Sequence, residues 1–165
     1  MIIFKNINYI LFIIVLSMHF NVSCSDAGAD PEVVIDKKTG LVWTKCSAGV
    51  NNDVDDSPEC DGRVGKYSWE EALQLCKNLN LGDYNWRLPN IRELQSIVLY
   101  RFELSPMVDE ASFPNAIKWH YWSSTTYARD SLTTHAYTID FTYGNVALHQ
   151  KSDDNFCFIR CVAGP

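Results

Sequence analysis

The sequence lacks several features that would assign it to a common functional class. Its N-terminal apolar run is too short for a membrane-spanning helix of about 20 residues, because Ser17, His19 and Asn21 interrupt it. No internal repeat, linker or low-complexity stretch divides the rest. Basic residues are the minority and the formal net charge is −6, so no bulk attraction to nucleic acid is expected. We therefore expect one domain that binds no nucleic acid.

Residues 1–23 have the pattern of a signal peptide. Lys5 is the one Lys, Arg, Asp or Glu residue among them. The apolar run that follows it ends in small and polar residues. Asn21-Val22-Ser23-Cys24 then places a cysteine after a small residue, and residues 24–32 form a polar tether. This resembles a bacterial lipobox, whose cysteine becomes an acylated N-terminus. We predict lipidation of Cys24 and contact with a membrane only through that anchor; ordinary cleavage, with Cys24 paired or unmodified, is the alternative.

Export implies an oxidising compartment, in which cysteines pair. We expect the outer membrane or the cell surface, and a periplasmic or secreted protein is the alternative. The remaining 142 residues suit a single domain and carry 13 basic against 20 acidic residues, a charge of about −7. Cys46 and Cys60 flank a polar segment whose ends must meet, so we predict a Cys46–Cys60 disulfide. Setting Cys24 aside leaves an odd number of cysteines, and the state of Cys157 stays open, as does the oligomeric state.

β-Strands are predicted at both ends of the domain. Residues 33–35 and 41–44 flank a turn that ends in Gly40, which predicts a hairpin with Gly40 in the left-handed region. In the last third, aromatic and β-branched residues alternate with polar ones. The pattern there predicts a strand at 121–126, a hairpin that turns at 143–145, and a final strand over 156–162.

Two short amphipathic helices are predicted between these strands. Ser68 and Glu71 form the capping box of the first, whose apolar stripe includes Cys76. Asn90 and Glu93 form the same pattern at the start of the second. Strands, then helices, then strands indicate an α+β domain with a small antiparallel sheet.

Four motifs occur in the order in which one family carries them. They are Thr39-Gly40-Leu41-Val42-Trp43, Trp86-Arg87-Leu88-Pro89-Asn90-Ile91-Arg92-Glu93-Leu94, Tyr121-Trp122-Ser123-Ser124-Thr125 and Ile159-Arg160-Cys161-Val162. Each motif alone is a weak signal, but a chance match of four in order is improbable. Residues 33–165 resemble the C-terminal domain family of the Legionella collagen-like protein.

This resemblance implies a C-type-lectin-like fold, in which two helices flank a small antiparallel sheet and disulfides staple the chain. Lectin-like domains tie a helix to the terminal strand, which implies a Cys76–Cys161 disulfide. In the founding adhesin of the family, this domain has a role in binding sulfated glycosaminoglycans and in attachment. The resemblance implies the same role here. The family is also related to formylglycine-generating enzymes, although fold alone does not determine function.

An acidic segment between the first two cysteines gathers oxygen donors. Asp53, Asp55 and Asp56 are candidate calcium ligands, because calcium binds carboxylates and C-type-lectin-like domains often use it. The segment lacks the spacing and the glycine of an EF-hand, and a run of carboxylates is usually a solvated face. Calcium is therefore the weaker interpretation, and no other cofactor is predicted.

The aromatic motifs favour a core role over a ligand platform. In Trp86-Arg87-Leu88-Pro89 we expect a buried Trp86 and Leu88, a proline that begins a helix, and Arg87 as an internal ion-pair partner. Alternation along a strand places half of Trp122-Ser123-Ser124-Thr125 inside regardless of function. Basic residues approach a cluster only at Lys37 and Lys38 with Lys45, and at Arg92 with Arg101.

No nucleophile, acid and base constellation stands out in the sequence. His120, His135 and His149 lie far apart along the chain, and Cys157 sits between two phenylalanines, which favours an inert buried thiol. We predict a binding module, adhesin-like, for glycans or for extracellular or envelope proteins. The alternative is a structural or assembly component of the envelope without a glycan ligand, and an enzyme related to formylglycine-generating domains comes third.

Overall fold

Two short helices stand between strands in the order that the sequence predicts. The structure, a computed structural model, describes residues 32–49, 60, 62–101, 106–129, 133–152 and 157–165. The elements within these ranges are β1 (Val33–Ile35), β2 (Val42–Thr44), α1 (Trp69–Asn78), α2 (Ile91–Ser96), β3 (His120–Thr126), β4 (His135–Asp140), β5 (Asn145–Gln150) and β6 (Val162–Ala163). The α+β class is confirmed.

The strands form two small antiparallel sheets, whereas the sequence pattern predicts one. The first sheet has the order β1-β2-β6 and the second the order β3-β4-β5. In the first, the N-terminal hairpin pairs with the C-terminal strand through Trp43 opposite Val162. The two chain ends of the domain therefore meet in one sheet, and the hairpin strands of the last third form the other.

The helices begin where their capping boxes predict. The Ser68 side chain accepts a hydrogen bond from the Glu71 backbone N–H, and the Glu71 carboxylate accepts one from the Ser68 N–H. Asn90 and Glu93 make the same reciprocal pair at α2. In α1 the buried side chains are Ala72, Leu75 and Cys76, so Cys76 lies on the buried stripe as predicted.

The prediction of a single strand over 156–162 is wrong. Within the described part of this segment, Cys157 bridges to Tyr67, Phe158 bridges to Tyr121 in parallel, and only Val162–Ala163 forms a strand. The segment changes partner because it passes from the second sheet to the first, with the buried Arg160 side chain between the two contacts. Cys157 and Cys161 therefore do not share a strand face.

Two apolar clusters fill the space between the elements. The first cluster lies around α1 and the Cys76–Cys161 disulfide, and the second lies around α2 and Trp43. Cys161 belongs to the first cluster and Val162 to the second, so the C-terminal segment lies between the two. The largest fully buried side chains are Trp43, Trp122, Arg160, Tyr121 and Phe141.

Candidate functional site

Several residues of the predicted sites lie outside the described part of the chain. Cys24, the predicted lipidation residue, precedes it, as does the predicted signal peptide. The candidate calcium ligands Asp53, Asp55 and Asp56 fall between described residues 49 and 60. Lipidation and calcium binding therefore stay predictions.

The structure contains two disulfides among its described cysteines. Cys46 is bonded to Cys60, with the Cα atoms 5.2 Å apart, and Cys76 to Cys161, with the Cα atoms 5.4 Å apart. These are the two pairs expected from the sequence. Cys157 is buried and belongs to neither disulfide.

The Trp86-Arg87-Leu88-Pro89 motif contributes two buried side chains to the core and one residue to an ion pair. Trp86 and Leu88 are buried, and the Trp86 indole N–H donates to the Leu81 carbonyl at 2.7 Å. Arg87 forms a bidentate ion pair with Glu93, both N–O distances being 2.7 Å. The hydrogen bond to Glu93 raises the pKa of Arg87. Burial raises the pKa of Glu93, but its hydrogen bonds from Arg87 and Asn90 outweigh this and leave it lowered.

The Tyr121-Trp122-Ser123-Ser124-Thr125 motif is equally internal at its first three residues. The Trp122 indole N–H donates to the Tyr67 carbonyl at 2.8 Å, and the Ser123 hydroxyl donates to the Tyr137 carbonyl at 2.7 Å. The Thr125 hydroxyl accepts from the first backbone N–H of α2, that of Ile91. These polar groups serve the fold, as the core interpretation of both aromatic motifs predicts.

An open cleft of about 550 Å³ lies between two loops that are distant in sequence. One wall is the segment around Val64, which a β-bridge to Gly49 and a hydrogen bond from the Gly65 N–H to the Ala48 carbonyl hold in place. The other wall is the segment 106–118. The lining residues are Cys60, Gly62, Val64, Pro106, Glu110, Asn115, Ala116, Ile117 and Lys118.

A buried polar network lies behind one wall of this cleft. The Ile117 N–H donates to the Tyr121 hydroxyl at 3.0 Å, which is 2.8 Å from the Ser47 hydroxyl. The Arg160 guanidinium donates to Ser47 at 3.2 Å and to two backbone carbonyls, those of Thr44 and Lys45. A fully buried cation is thus connected, through two hydroxyl groups, to the backbone of the cleft.

An exposed aromatic side chain and two lysines stand beside the cleft. Trp119 is 40% exposed and follows the lining residue Lys118 directly. The Lys66 ammonium lies 5.3 Å from the centre of the Trp119 indole and 5.5 Å from that of the Phe158 ring. Indole faces and ammonium groups at this distance attract each other. Cleft, indole and lysines together form the candidate site.

One family model matches almost the whole described chain. The model of the Lcl C-terminal domain matches residues 32–163. The chain belongs to the Lcl C-terminal domain family. The family predicted from the four motifs is thereby confirmed. No curated protein matches the chain significantly.

In this Lcl C-terminal domain the N-terminal hairpin separates the lysines of the first basic grouping suggested by the sequence. Lys37 and Lys38 lie in the turn at one end of the β1–β2 hairpin, whereas Lys45 lies beyond its other end. Arg92 is in the first turn of α2, and Arg101 follows the helix by five residues.

The basic group at the cleft was missed. Lys118 lines the cleft and Lys66 lies against the neighbouring Trp119, and 52 residues separate the two lysines along the chain. No spacing rule joins such positions, and the one local signal was Lys118 beside an aromatic residue.

Two histidines that are distant in sequence are neighbours in this Lcl C-terminal domain. The ring centres of His120 and His149 are 4.4 Å apart, and Trp122 lies 6.2 Å from His149. Burial lowers the pKa of His120, and the carboxylate of Asp140 opposes this. The described residues contain no group of three or more His, Cys, Asp or Glu side chains that could hold a metal ion. Within the same ranges, no helix has the length and apolarity that crossing a membrane requires.

Proposed function

We propose that this chain is an exported, lipid-anchored, non-enzymatic binding domain that holds acidic glycans at the cleft beside Trp119. The observation that carries the proposal is the juxtaposition of an exposed indole, the Lys66 ammonium 5.3 Å from it, and a cleft lined by Lys118. Indole faces stack on sugar rings, and ammonium groups attract sulfate or carboxylate.

Positive charge at the cleft offsets the negative net charge of the protein at short range. An acidic protein repels polyanions at long range, and −6 for the whole chain is such a charge. At physiological salt, exposed charges more than about 8 Å apart are largely screened from each other. Lys66 and Lys118 would therefore act at contact distance while the rest of the surface is screened, which supports weak and salt-sensitive binding.

The polar groups at the cleft favour binding over catalysis. Glu110 and Lys118 are its charged lining side chains, and both are exposed. Catalytic acids and bases usually lie in closed surroundings from which water is excluded. Both charged groups at this cleft are open to solvent, which supports the non-enzymatic proposal.

The test is a binding assay with a heparin-like sulfated glycan and a neutral glycan at several salt concentrations. Lys66→Gln should weaken binding of the sulfated glycan by about two- to five-fold, the range for one exposed ion pair. Lys37→Gln, the same change in the distant hairpin turn, should leave binding unaltered. Added salt should weaken wild-type binding steeply, since exposed ion pairs are screened.

Other outcomes would favour other functions. Binding that resists salt and disappears with a chelator would indicate calcium at Asp53, Asp55 and Asp56. Binding of matrix proteins alone would replace the glycan with a protein partner. Binding of neither would support the structural or assembly role, and cleavage or modification of the glycan during the assay would contradict a non-enzymatic domain.

A further inference from the structure

Four aromatic rings connect the exposed indole beside the cleft to the core. The rings of Trp119 and His120 meet edge to face with their centres 5.5 Å apart, and the rings of His120 and His149 are 4.4 Å apart. The Trp122 ring lies 6.2 Å from that of His149. Trp119 is 40% exposed, whereas Trp122 is fully buried. Two titratable rings therefore lie between the candidate site and the core.

The register of the second sheet places both histidines on one face. His120 pairs with Asp140 of β4, and His149 of β5 pairs with Ala136 of β4. Directly opposed residues share a face, and so do residues separated by an even number along a strand. Thr138, midway between Ala136 and Asp140, is fully buried. The contact between the two imidazoles thus depends on paired strands rather than on a loop.

Three titratable groups surround His120. Asp140 lies opposite it on β4, the His149 ring approaches from β5, and the Lys66 ammonium lies 5.3 Å from the same Trp119 indole that His120 contacts. Burial lowers the pKa of His120 from the ordinary 6.5, and Asp140 opposes this. A second proton, on His149, would place two like charges side by side, which is unfavourable. The pair therefore gains one proton as the pH falls below 6.5.

The segment on the other side of β3 adds no charge to this surrounding. The Phe158 N–H donates to the His120 carbonyl at 2.9 Å, and the preceding Cys157 is buried. A buried cysteine outside a disulfide behaves as a small apolar side chain. Asp140, His149 and Lys66 are thus the groups that influence the charge of His120.

We propose that a proton on His120 regulates the cleft, because the protonated ring adds a second cation beside the Trp119 indole and strengthens the binding of acidic ligands. This regulation rests on the binding of acidic ligands proposed above. Lys66 and protonated His120 repel each other across the indole, and a bound sulfate or carboxylate group relieves that repulsion. Ligand and proton therefore bind cooperatively, and each strengthens the binding of the other by the same factor.

A ligand group that stacks on the Trp119 indole lies within reach of the His120 charge. The two ring centres are 5.5 Å apart, and exposed charges are largely screened from each other only beyond about 8 Å at physiological salt. His120 is half-buried, and salt screens partly buried charges less. One added charge at such a distance corresponds to a gain in affinity of about two- to five-fold.

Binding of a heparin-like sulfated glycan at about pH 7.5 and about pH 5.5, on either side of the ordinary histidine value, tests this regulation. The protein is the full exported chain with Cys24→Ala, so that no lipid is attached. Wild-type affinity should rise about two- to five-fold on acidification. His120→Phe keeps a ring but cannot be protonated and should remove the rise, and the uncharged His120→Gln should do the same. Circular dichroism verifies that each variant is folded at both pH values.

His135→Phe is the matched control for these substitutions. His135 lies at the other end of β4 from Asp140, about 17 Å away along the strand. The variant should therefore keep the rise in affinity on acidification. Asp140→Asn removes the charge that favours protonated His120, so the rise should begin at a lower pH.

Nuclear magnetic resonance of the imidazole rings measures the same cooperativity on the protein. Addition of the glycan should raise the pH midpoint of the His120 ring by the logarithm of the factor seen in affinity, and should shift that of His135 much less. Equal affinity at both pH values, or a rise that persists in both His120 variants, overturns the regulation and leaves the proposed function in place. Absence of glycan binding at both pH values overturns the proposed function and the regulation with it.

Discussion

Arg160 shows how a charged side chain can be accommodated in the interior. Its guanidinium is fully buried and donates to the carbonyls of Thr44 and Lys45 and to the Ser47 hydroxyl, while the Phe113 ring lies 4.6 Å away. Burial lowers its pKa, and the Tyr121 hydroxyl opposes this. Carbonyl dipoles and an aromatic face thus surround the charge, and the side chain fixes the path of the chain between the two sheets.

His120 should make stability depend on pH just below neutrality. Burial lowers its pKa from the ordinary 6.5, with an opposing effect of Asp140. The unfolded chain then binds the proton more tightly than the folded chain, so the stabilisation is present above pH 6.5 and declines as the pH falls through the lowered pKa. His120→Phe should flatten the free energy of unfolding across that window, as measured by urea titration at several pH values.

A substitution of Asp140 tests the direction of this pH dependence independently. Asp140→Asn removes the charge that favours protonated His120 and keeps an oxygen that can accept from the Thr142 N–H, now at 2.8 Å. The loss of stability on acidification should therefore become larger than in the wild type. An unchanged or smaller loss would show that another group is responsible.

Local signals predicted the elements better than their partners. The capping boxes at Ser68 and Asn90 depend on residues three apart, so they could be recognised directly and are confirmed. The course of the segment 157–163 could not be recognised in this way. Its alternation fits one strand, whereas its residues pair with Tyr67, Tyr121 and Trp43 in turn. Partner choice depends on where distant elements pack, which no local pattern contains.

Two turn glycines should differ in their tolerance of a methyl group. Gly40 and Gly144 both have positive φ, 75° and 73°. A Cβ at Gly40 would meet only Pro165 atoms at 3.8 Å or more, whereas at Gly144 it would lie 2.9 Å from Val98 Cγ1. Left-handed strain alone costs about 1–2 kcal/mol, and overpacking adds about 1–3 kcal/mol. Gly144→Ala should therefore destabilise the fold by about 2–5 kcal/mol.

Gly40→Ala is the matched control for that comparison, with an expected cost of about 1–2 kcal/mol from strain alone. Urea unfolding followed by tryptophan fluorescence measures both variants against the wild type. The combination Gly144→Ala with Val98→Ala should cost less than the sum of its two members, because the second change removes the atom in contact. Equal losses for Gly40→Ala and Gly144→Ala would mean that the turn shifts away from Val98.

The candidate site could be predicted from the sequence only in part. Family membership and the core role of Trp86 and Trp122 followed from motifs that are continuous in the chain. The cleft did not, because its two walls are brought together by contacts such as the bridge between Gly49 and Val64. Net charge was also a poor guide to the surface, since an average over the whole molecule conceals lysines that folding places beside one exposed indole.

Attachment of the whole molecule to a membrane should depend on Cys24. Acyl chains bind lipid with about 0.8 kcal/mol per buried methylene, and stable attachment takes more than one chain. Cys24→Ala should therefore move the protein from the membrane fraction to the fraction without lipid. Ser23→Ala keeps a small residue before the cysteine and should stay with the membrane. Mass spectrometry of the N-terminal peptide identifies the acyl chains, and retention of Cys24→Ala in the membrane fraction, or an unacylated N-terminus elsewhere, would refute the anchor.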